Sequence, residues 1–392
     1  MGVQTTGVAP DGAIPRLWDG ERCSSDESAR QPSEVGVLRG RESVAAMREM
    51  LIELSRRTGQ AGAMDALDVF LNAPCARAKI PYLVLVGLRE QVRPEMATAD
   101  DVDGAVLIYQ YQIAGRRTGV YATDDLGGSR TVIAPAEIRT VVAEMVCRTL
   151  VESGATVALV SLAGEGNMIV RPVAKPCQAC RVATRRRMVP QYLALAATYD
   201  QTLATLGKHT RRNLRYYRRM VEAKLQVEFV PSVAMGRAEF MEMNRASTNP
   251  GKADMVAWRY ESLLAVERPL FCGLRAADGR WLSLIGGRRS SGVVDVAWQL
   301  NLAGMPRYSL STAMRSFLLE YEISQGTERL VFEGGTPHSM RHSFVPVDVV
   351  DVIVERRSMA AWLLRKFSRW IFPEKNFLGQ ALRDRQLDWT ER

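Results

Sequence analysis

The sequence predicts an α/β (α+β) fold in two similar halves, and three observations carry that reading. The chain is 392 residues long, enough for more than one core. Its 47% apolar and 24% charged composition is that of a globular protein. An order of strands, helix and strand is written in residues 82–162 and written again in residues 227–354.

Residues 1–40 mix Gly, Pro, Ser and charges without periodicity and read as a disordered leader. From Ser43 to Ser55, Val44, Met47, Met50, Leu51 and Leu54 fall on helical spacing, and a second helix is expected from Ala63 to Leu71. Strands follow at Tyr82 to Leu88, Ala105 to Ile113 and Gly119 to Ala122, the last two joined at Gly115-Arg116-Arg117. A helix from Ala136 to Glu152 and a buried strand from Thr156 to Leu162 complete this half. In the second half a basic helix precedes strands at Val227 to Phe229, Leu270 to Arg275, Trp281 to Gly286 and Val293 to Leu300. Asp278-Gly279 and Ser291-Gly292 mark turns between the later ones. A loop through Asn301, Gly304 and Pro306 leads to a helix from Ser311 to Ile323, with Met314, Phe317, Leu318 and Tyr321 on one face. Strand Arg329 to Glu333, the pair Gly334-Gly335, a short helical turn and a strand from Val347 to Val354 follow.

This order divides the chain into a leader (1–40), an N-terminal domain (41–190), a C-terminal domain (191–356) and a basic amphipathic tail (357–392). In the tail Met359, Trp362, Leu363, Phe367, Trp370 and Ile371 recur at helical spacing, with Arg365, Lys366 and Arg369 on the other side. Such a helix packs on its own domain or lies on an anionic membrane. No stretch approaches the ~18 to 20 apolar residues of a membrane span, and no signal peptide is recognisable. The six cysteines are scattered rather than arranged as a disulfide scaffold. A cytoplasmic protein with reduced thiols is expected, with peripheral contact at the inner face of the membrane as the tail's alternative.

Charge is concentrated. Between Gly166 and Val221 stand twelve Lys and Arg residues against one acid, Asp200, so this stretch alone exceeds the +9 of the whole chain. Its densest part runs from Gly207 to Arg219 and includes Arg211, Arg212, Arg215 and Arg218. Leu214, Tyr217, Val221 and Leu225 share one helical face, which implies a docked helix with a cationic ridge. A solvated face is the ordinary reading of such a run. The lack of alternating acids favours an anionic partner instead.

Two segments have the make-up of a chemical site. Arg307-Tyr308-Ser309-Leu310-Ser311-Thr312 leads into a helix whose first turn has no Asp or Glu, while Arg307 and Arg315 flank it. Cations beside the positive end of a helix make sense around an anion such as a pyrophosphate; Ser309 or Ser311 as a plain N-cap is the alternative. In Phe332-Glu333-Gly334-Gly335-Thr336-Pro337-His338, Glu333 and His338 stand at a strand-to-helix junction, where acid–base groups are often placed. His338 and His342 are four apart, but no third ligand has suitable spacing, so no metal site is expected. Cys177 and Cys180 have redox or zinc spacing without a second pair, and read as incidental thiols.

At these residues the chain resembles a known family. Tyr192 to Arg219, with Leu206-Gly207-Lys208 leading into Arg211-Arg212-Asn213-Leu214-Arg215, resembles the start of the acyltransferase domain in the CelD-like branch of the GNAT superfamily, related to the FemAB transferases. Ser309 to Leu318, and Leu330 to Arg341, are similar to its later motifs, so the resemblance covers residues 190–345. It implies tandem GNAT-like domains, each a mixed, mostly antiparallel sheet flanked by helices. It also implies an N-acyltransferase that moves an acyl group, acetyl in the simplest case, from acyl-CoA to an amine acceptor. The pyrophosphate would sit on Arg307 to Thr312, the acyl group near Trp298 and Gln299, and the acceptor would approach from the Glu333 side. Leu310 stands where the family's loop has Gly, and Met340-Arg341 where it often has Tyr-Lys. Arg341 joins the anion-contacting arginines. The alternatives are an aminoacyl-tRNA donor, with the basic ridge on RNA, and a degenerate scaffold in envelope or exopolysaccharide synthesis.

Overall fold

The computed structural model describes residues 35–60, 67, 70–71, 79–113, 115–123, 131–164, 179–290, 292–332, 339–371, 379, 382 and 388–390. In the first half these are strand β1 (Val35–Arg39), helices α1 (Arg41–Ala46) and α2 (Arg48–Arg57), strands β2 (Lys79–Val86), β3 (Gly104–Ile113), β4 (Arg116–Ala122) and β5 (Val132–Ile133), helix α3 (Arg139–Glu152) and strand β6 (Val157–Gly164). Strand β7 (Cys180–Ala194) follows. The second half contains helices α4 (Tyr199–Thr205) and α5 (Lys208–Leu225), strand β8 (Glu228–Val230), and helices α6 (Arg237–Arg245) and α7 (Ala253–Ala265). Strands β9 (Pro269–Arg275), β10 (Trp281–Ser290) and β11 (Val293–Asn301) lead to helix α8 (Leu310–Ser324), then strands β12 (Arg329–Phe332) and β13 (Val345–Arg356). Helix α9 (Met359–Ile371) and strand β14 (Asp388–Thr390) close the chain.

One mixed sheet runs through the molecule in the order β1-β2-β3-β4-β6-β13-β7-β12-β11-β10-β9-β8, with β5 beside β3 and β14 beside β7. Helices cover both faces, so the fold is mixed α/β. The central strands are apolar along their length because both faces are buried; β3 reads Ala105-Val106-Leu107-Ile108-Tyr109, all buried. Helix α3 is buried at Val142, Ala143, Val146, Cys147, Leu150 and Val151 and packs against β2, β3, β6 and β13. In the second half α8 and α5 share one face of the sheet, while α6 and α7 cover the other around Phe240, Val256 and Trp298.

Several boundaries differ from the sequence reading. Strand β1 lies within the expected leader and pairs in register with β2, Val35 opposite Val86. The helix expected from Ser43 to Ser55 is two helices meeting at Met47. The expected helix from Ala63 to Leu71 lies mostly outside the described residues. The largest difference is β7. The sequence reading assigns no strand to this stretch of four arginines and Pro190, yet it is a 15-residue strand at the middle of the sheet. Arg187 is accommodated by an ion pair with Asp351 on β13 at 3.0 Å, and Ser161 donates a 2.6 Å hydrogen bond to the same carboxylate. Pro190 falls at a register shift in the β7–β13 ladder, where a missing N–H costs least. The domain boundary expected at 190/191 therefore runs through a strand. Helices α6 and α7, which periodicity did not single out, bury Phe240, Met243, Val256 and Leu263.

Candidate active site at the end of β11 and the start of α8

Among the described residues, β11 pairs with β12 in parallel from Val293 to Val296, and it continues to Asn301 beside β10. At that point the β10–β11 register shifts: Gly287 faces Val296 and Gly286 faces Trp298, leaving Ala297 as an extra residue. Such a bulge turns the following side chains to the opposite face. Val294 and Val296 pack with α8, whereas Trp298 and Leu300 pack with α6 and α7. Gly286 and Gly287 make this possible. A Cβ on Gly286 would stand 1.9 Å from Trp298 Cζ2, and one on Gly287 1.9 Å from the Asp295 carbonyl oxygen.

The bulge separates two residues expected side by side. Trp298 is 6% exposed and packs edge-on against Phe240 and Phe271, so it belongs to the core on the far face rather than to an acyl pocket. Gln299 is turned toward α8. Its Nε2 donates to the Ser311 carbonyl at 3.3 Å and to Asn301 Oδ1 at 3.1 Å. The Ser283 hydroxyl donates to Asn301 Oδ1 at 2.9 Å, which makes a polar trio of buried Ser283 with half-buried Gln299 and Asn301. Gln299 Oε1 is buried without a hydrogen-bond partner. Sequence reading missed Ser283 and Asn301; the Gly286-Gly287 pair was the available signal, since paired glycines inside a strand mark a bulge or a close approach.

From Asn301 the chain passes through a 3-10 turn at Pro306–Tyr308 to Ser309, whose φ of 41° and ψ of 58° lie in the left-handed region. This is a strained conformation for a residue with a side chain. Ser309 makes no side-chain cap; its hydroxyl is hydrogen-bonded to Thr312 Oγ1 at 2.9 Å. Thr312 N–H donates to the Ser309 carbonyl at 2.8 Å, so the Leu310 and Ser311 amides are the helix-start donors left uncapped by Ser309. Leu310 is buried in the core. Arg307 is exposed, while Tyr308 is half-buried in the cluster that holds Leu214 and Tyr217 of α5. Arg315 is mostly buried. Its guanidinium carbon lies 5.5 Å from the Phe332 ring centroid, its Nε has no hydrogen-bond partner, and burial lowers its pKa to about 10.

Ion pairs fix the frame around the site. Arg288 and Asp295, both buried, pair across β10 and β11 at 3.0 Å; burial raises the Asp295 pKa and Arg288 opposes that rise. Arg289 of β10 pairs at 2.9 Å with Glu322 of α8, a fully buried carboxylate that also accepts from Thr327.

The basic ridge of α5 differs from its sequence reading, because the acids missing locally arrive from elsewhere. Arg218 pairs with Glu222 at 3.0 Å and with Glu320 of α8 at 2.6 Å, and lies over the Phe317 ring. Arg215 pairs with Asp200 at 2.8 Å, and Arg211 donates to the Ala204 carbonyl. Arg212 is exposed near the first turn. Arg341 is exposed in a short 3-10 turn, Ser339–Ser343. Glu333 and His338 lie outside the described residues, as does Cys177; Cys180 is buried in β7. No cluster of three metal-binding side chains occurs among the described residues.

No protein-family model matches the chain, and no curated protein does. Solved structures do. The chain is similar to L-PGS from Bacillus licheniformis at 11% identity and TM-score 0.45, with 81% of this chain and 94% of that one covered. It is similar to FemX at 8% identity and TM-score 0.46, covering 81% and 96%. A tandem GNAT protein from the clavulanic acid biosynthesis pathway aligns at 11% identity and TM-score 0.40, covering 83% and 99%.

Proposed function

We propose that the chain is an acyl-group transferase that takes an acyl-CoA donor at the β11–α8 junction and passes the acyl group to an amine. One observation carries this reading. β11 bulges at Ala297, just after its described parallel pairing with β12, and leads to an acid-free helix start flanked by Arg307 and Arg315. A strand bulged in this way suits an extended, amide-bearing arm beside it, and helix N–H groups beside cations suit its pyrophosphate. The partnerless guanidinium of Arg315 gains a counter-charge when that anion is present.

The neutral amine attacks the thioester carbonyl, the C–N bond forms and the C–S bond breaks. The departing thiolate becomes the CoA thiol as the amine loses a proton. Backbone N–H groups of β11 beyond the bulge are the donors in place for the oxyanion. Glu333 is assigned as the base, directly or through water, with His338 as the alternative group for proton transfer. Isothermal titration with acetyl-CoA tests the donor; no heat of binding at millimolar ligand refutes it.

A second reading replaces CoA with an aminoacyl-tRNA, and Lys208 and Arg212, exposed at the start of α5, favour it. It requires RNA binding that falls steeply with salt and weakens when Lys208 and Arg212 are changed to Glu.

A further inference from the structure

Among the described residues, eight large apolar or aromatic side chains are strongly exposed, and four of them stand on α9: Met359, Trp362, Leu363 and Phe367. Their spacing places them on one stripe of the helix. Lys366 rises within the stripe, its ammonium 4.7 Å from the Trp362 ring centroid and 5.9 Å from that of Phe367. The opposite side is anchored. Ala361 and Ser368 are each 1% exposed, Leu364 packs on the cluster of Val120 and Leu159, and Arg365 pairs at 3.2 Å with the buried Glu355 of β13. The helix is therefore held in the rotation that turns its apolar stripe outward.

The sequence of α9 contains no acid but three cations, Arg365, Lys366 and Arg369, and the exposed Arg357 precedes it. We propose that α9 docks the protein on an anionic lipid surface, with Trp362, Leu363 and Phe367 entering the interface and Lys366 meeting the headgroups. An exposed aromatic and aliphatic stripe studded with cations is complementary to an anionic bilayer at both levels, apolar and charged. A second copy fits less well, since symmetric pairing of the stripes would bring two acid-free cationic helices together. The helix lies on the surface rather than crossing it, because no helix among the described residues is long and apolar enough to span a membrane. This inference stands independently of the donor site.

The test is flotation of the full chain with vesicles of phosphatidylserine and phosphatidylcholine, against vesicles of phosphatidylcholine alone. The wild type floats with the anionic vesicles. L363E/F367E weakens that association at least about tenfold, and K366Q weakens it about fivefold, while both variants keep the wild-type thermal midpoint. The proposal is overturned if the wild type ignores anionic vesicles or if the variants float as it does. It is equally overturned if sedimentation finds a wild-type dimer that L363E/F367E dissociates, which would assign the stripe to a second copy.

Discussion

The two halves of the sheet contain the same unit, three antiparallel strands, a covering helix and a parallel fourth strand, yet they differ in the residue that follows the parallel ladder. In the first, β2, β3 and β4 are followed by α3 and by β6. In the second, β9, β10 and β11 are followed by α8 and by β12. Beyond the β4–β6 ladder, Thr123 continues the stitching. Its N–H donates to the Leu159 carbonyl at 3.0 Å, and its buried hydroxyl accepts from the Ser161 N–H at 3.0 Å. At the end of the described β11–β12 ladder there is instead a bulge at Ala297, and β11 runs on beside β10 to Asn301. The same topology thus differs between the halves in a single residue after the parallel ladder, a continued stitch at Thr123 in one and a bulge at Ala297 in the other.

The helices are anchored differently too, and that gives the largest expected effect. Glu322 ties α8 to β10 through Arg289, while Glu144 pairs with Arg148 on its own helix at 2.7 Å. E322A leaves Arg289 partly buried and unpaired and is expected to cost about 3–5 kcal/mol in denaturant unfolding. E144A is expected to cost less; an equal loss would break the contrast. Next in size, T123V strands the Ser161 N–H and should destabilise by about 1–3 kcal/mol, without altering acetyl-CoA affinity in titration calorimetry. A large loss of affinity would mean that the first half also takes part in the donor site.

S311D is sharper because two readouts move differently. An acid in the first turn of α8 favours the helix but repels an anion there. Acetyl-CoA affinity should fall about tenfold, or ~1.4 kcal/mol, with an unchanged or raised thermal midpoint. Smallest is R315M, which removes a buried cation lacking a carboxylate partner. The free chain should gain about 1 kcal/mol while donor affinity drops; a destabilised free chain would show that the guanidinium serves the fold alone.

Much of this was legible in the sequence where patterns are local. The strands from Leu270 to Leu300 and the helix after Ser309 follow from periodicity and turn residues, and the acid-free first turn of α8 is visible in the letters alone. What could not be read depends on partners distant in sequence. Arg187 marks β7 as polar until Asp351, 164 residues later, neutralises it. Arg218 has only Glu222 within local reach until Glu320 arrives from α8. Alternation along β11 predicts Trp298 on the α8 face with Val294 and Val296, and a single extra residue at Ala297 reverses it.

The order in which the sheet closes follows from β13. That strand lies between β6 and β7, with Val352 paired to Val160 on one side and Thr184 on the other. During synthesis β6 and β7 emerge more than 150 residues before the strand that separates them. Their facing edges stay unsatisfied until Val345–Arg356 leaves the ribosome, so neither half completes its sheet while the chain is still growing. The middle of the molecule is the last part to assemble, and it sets a late, long-range step in folding. A nascent chain stalled before Val345 presents two open strand edges to its neighbours, which makes translation pauses in that stretch the moment of greatest exposure to misassembly.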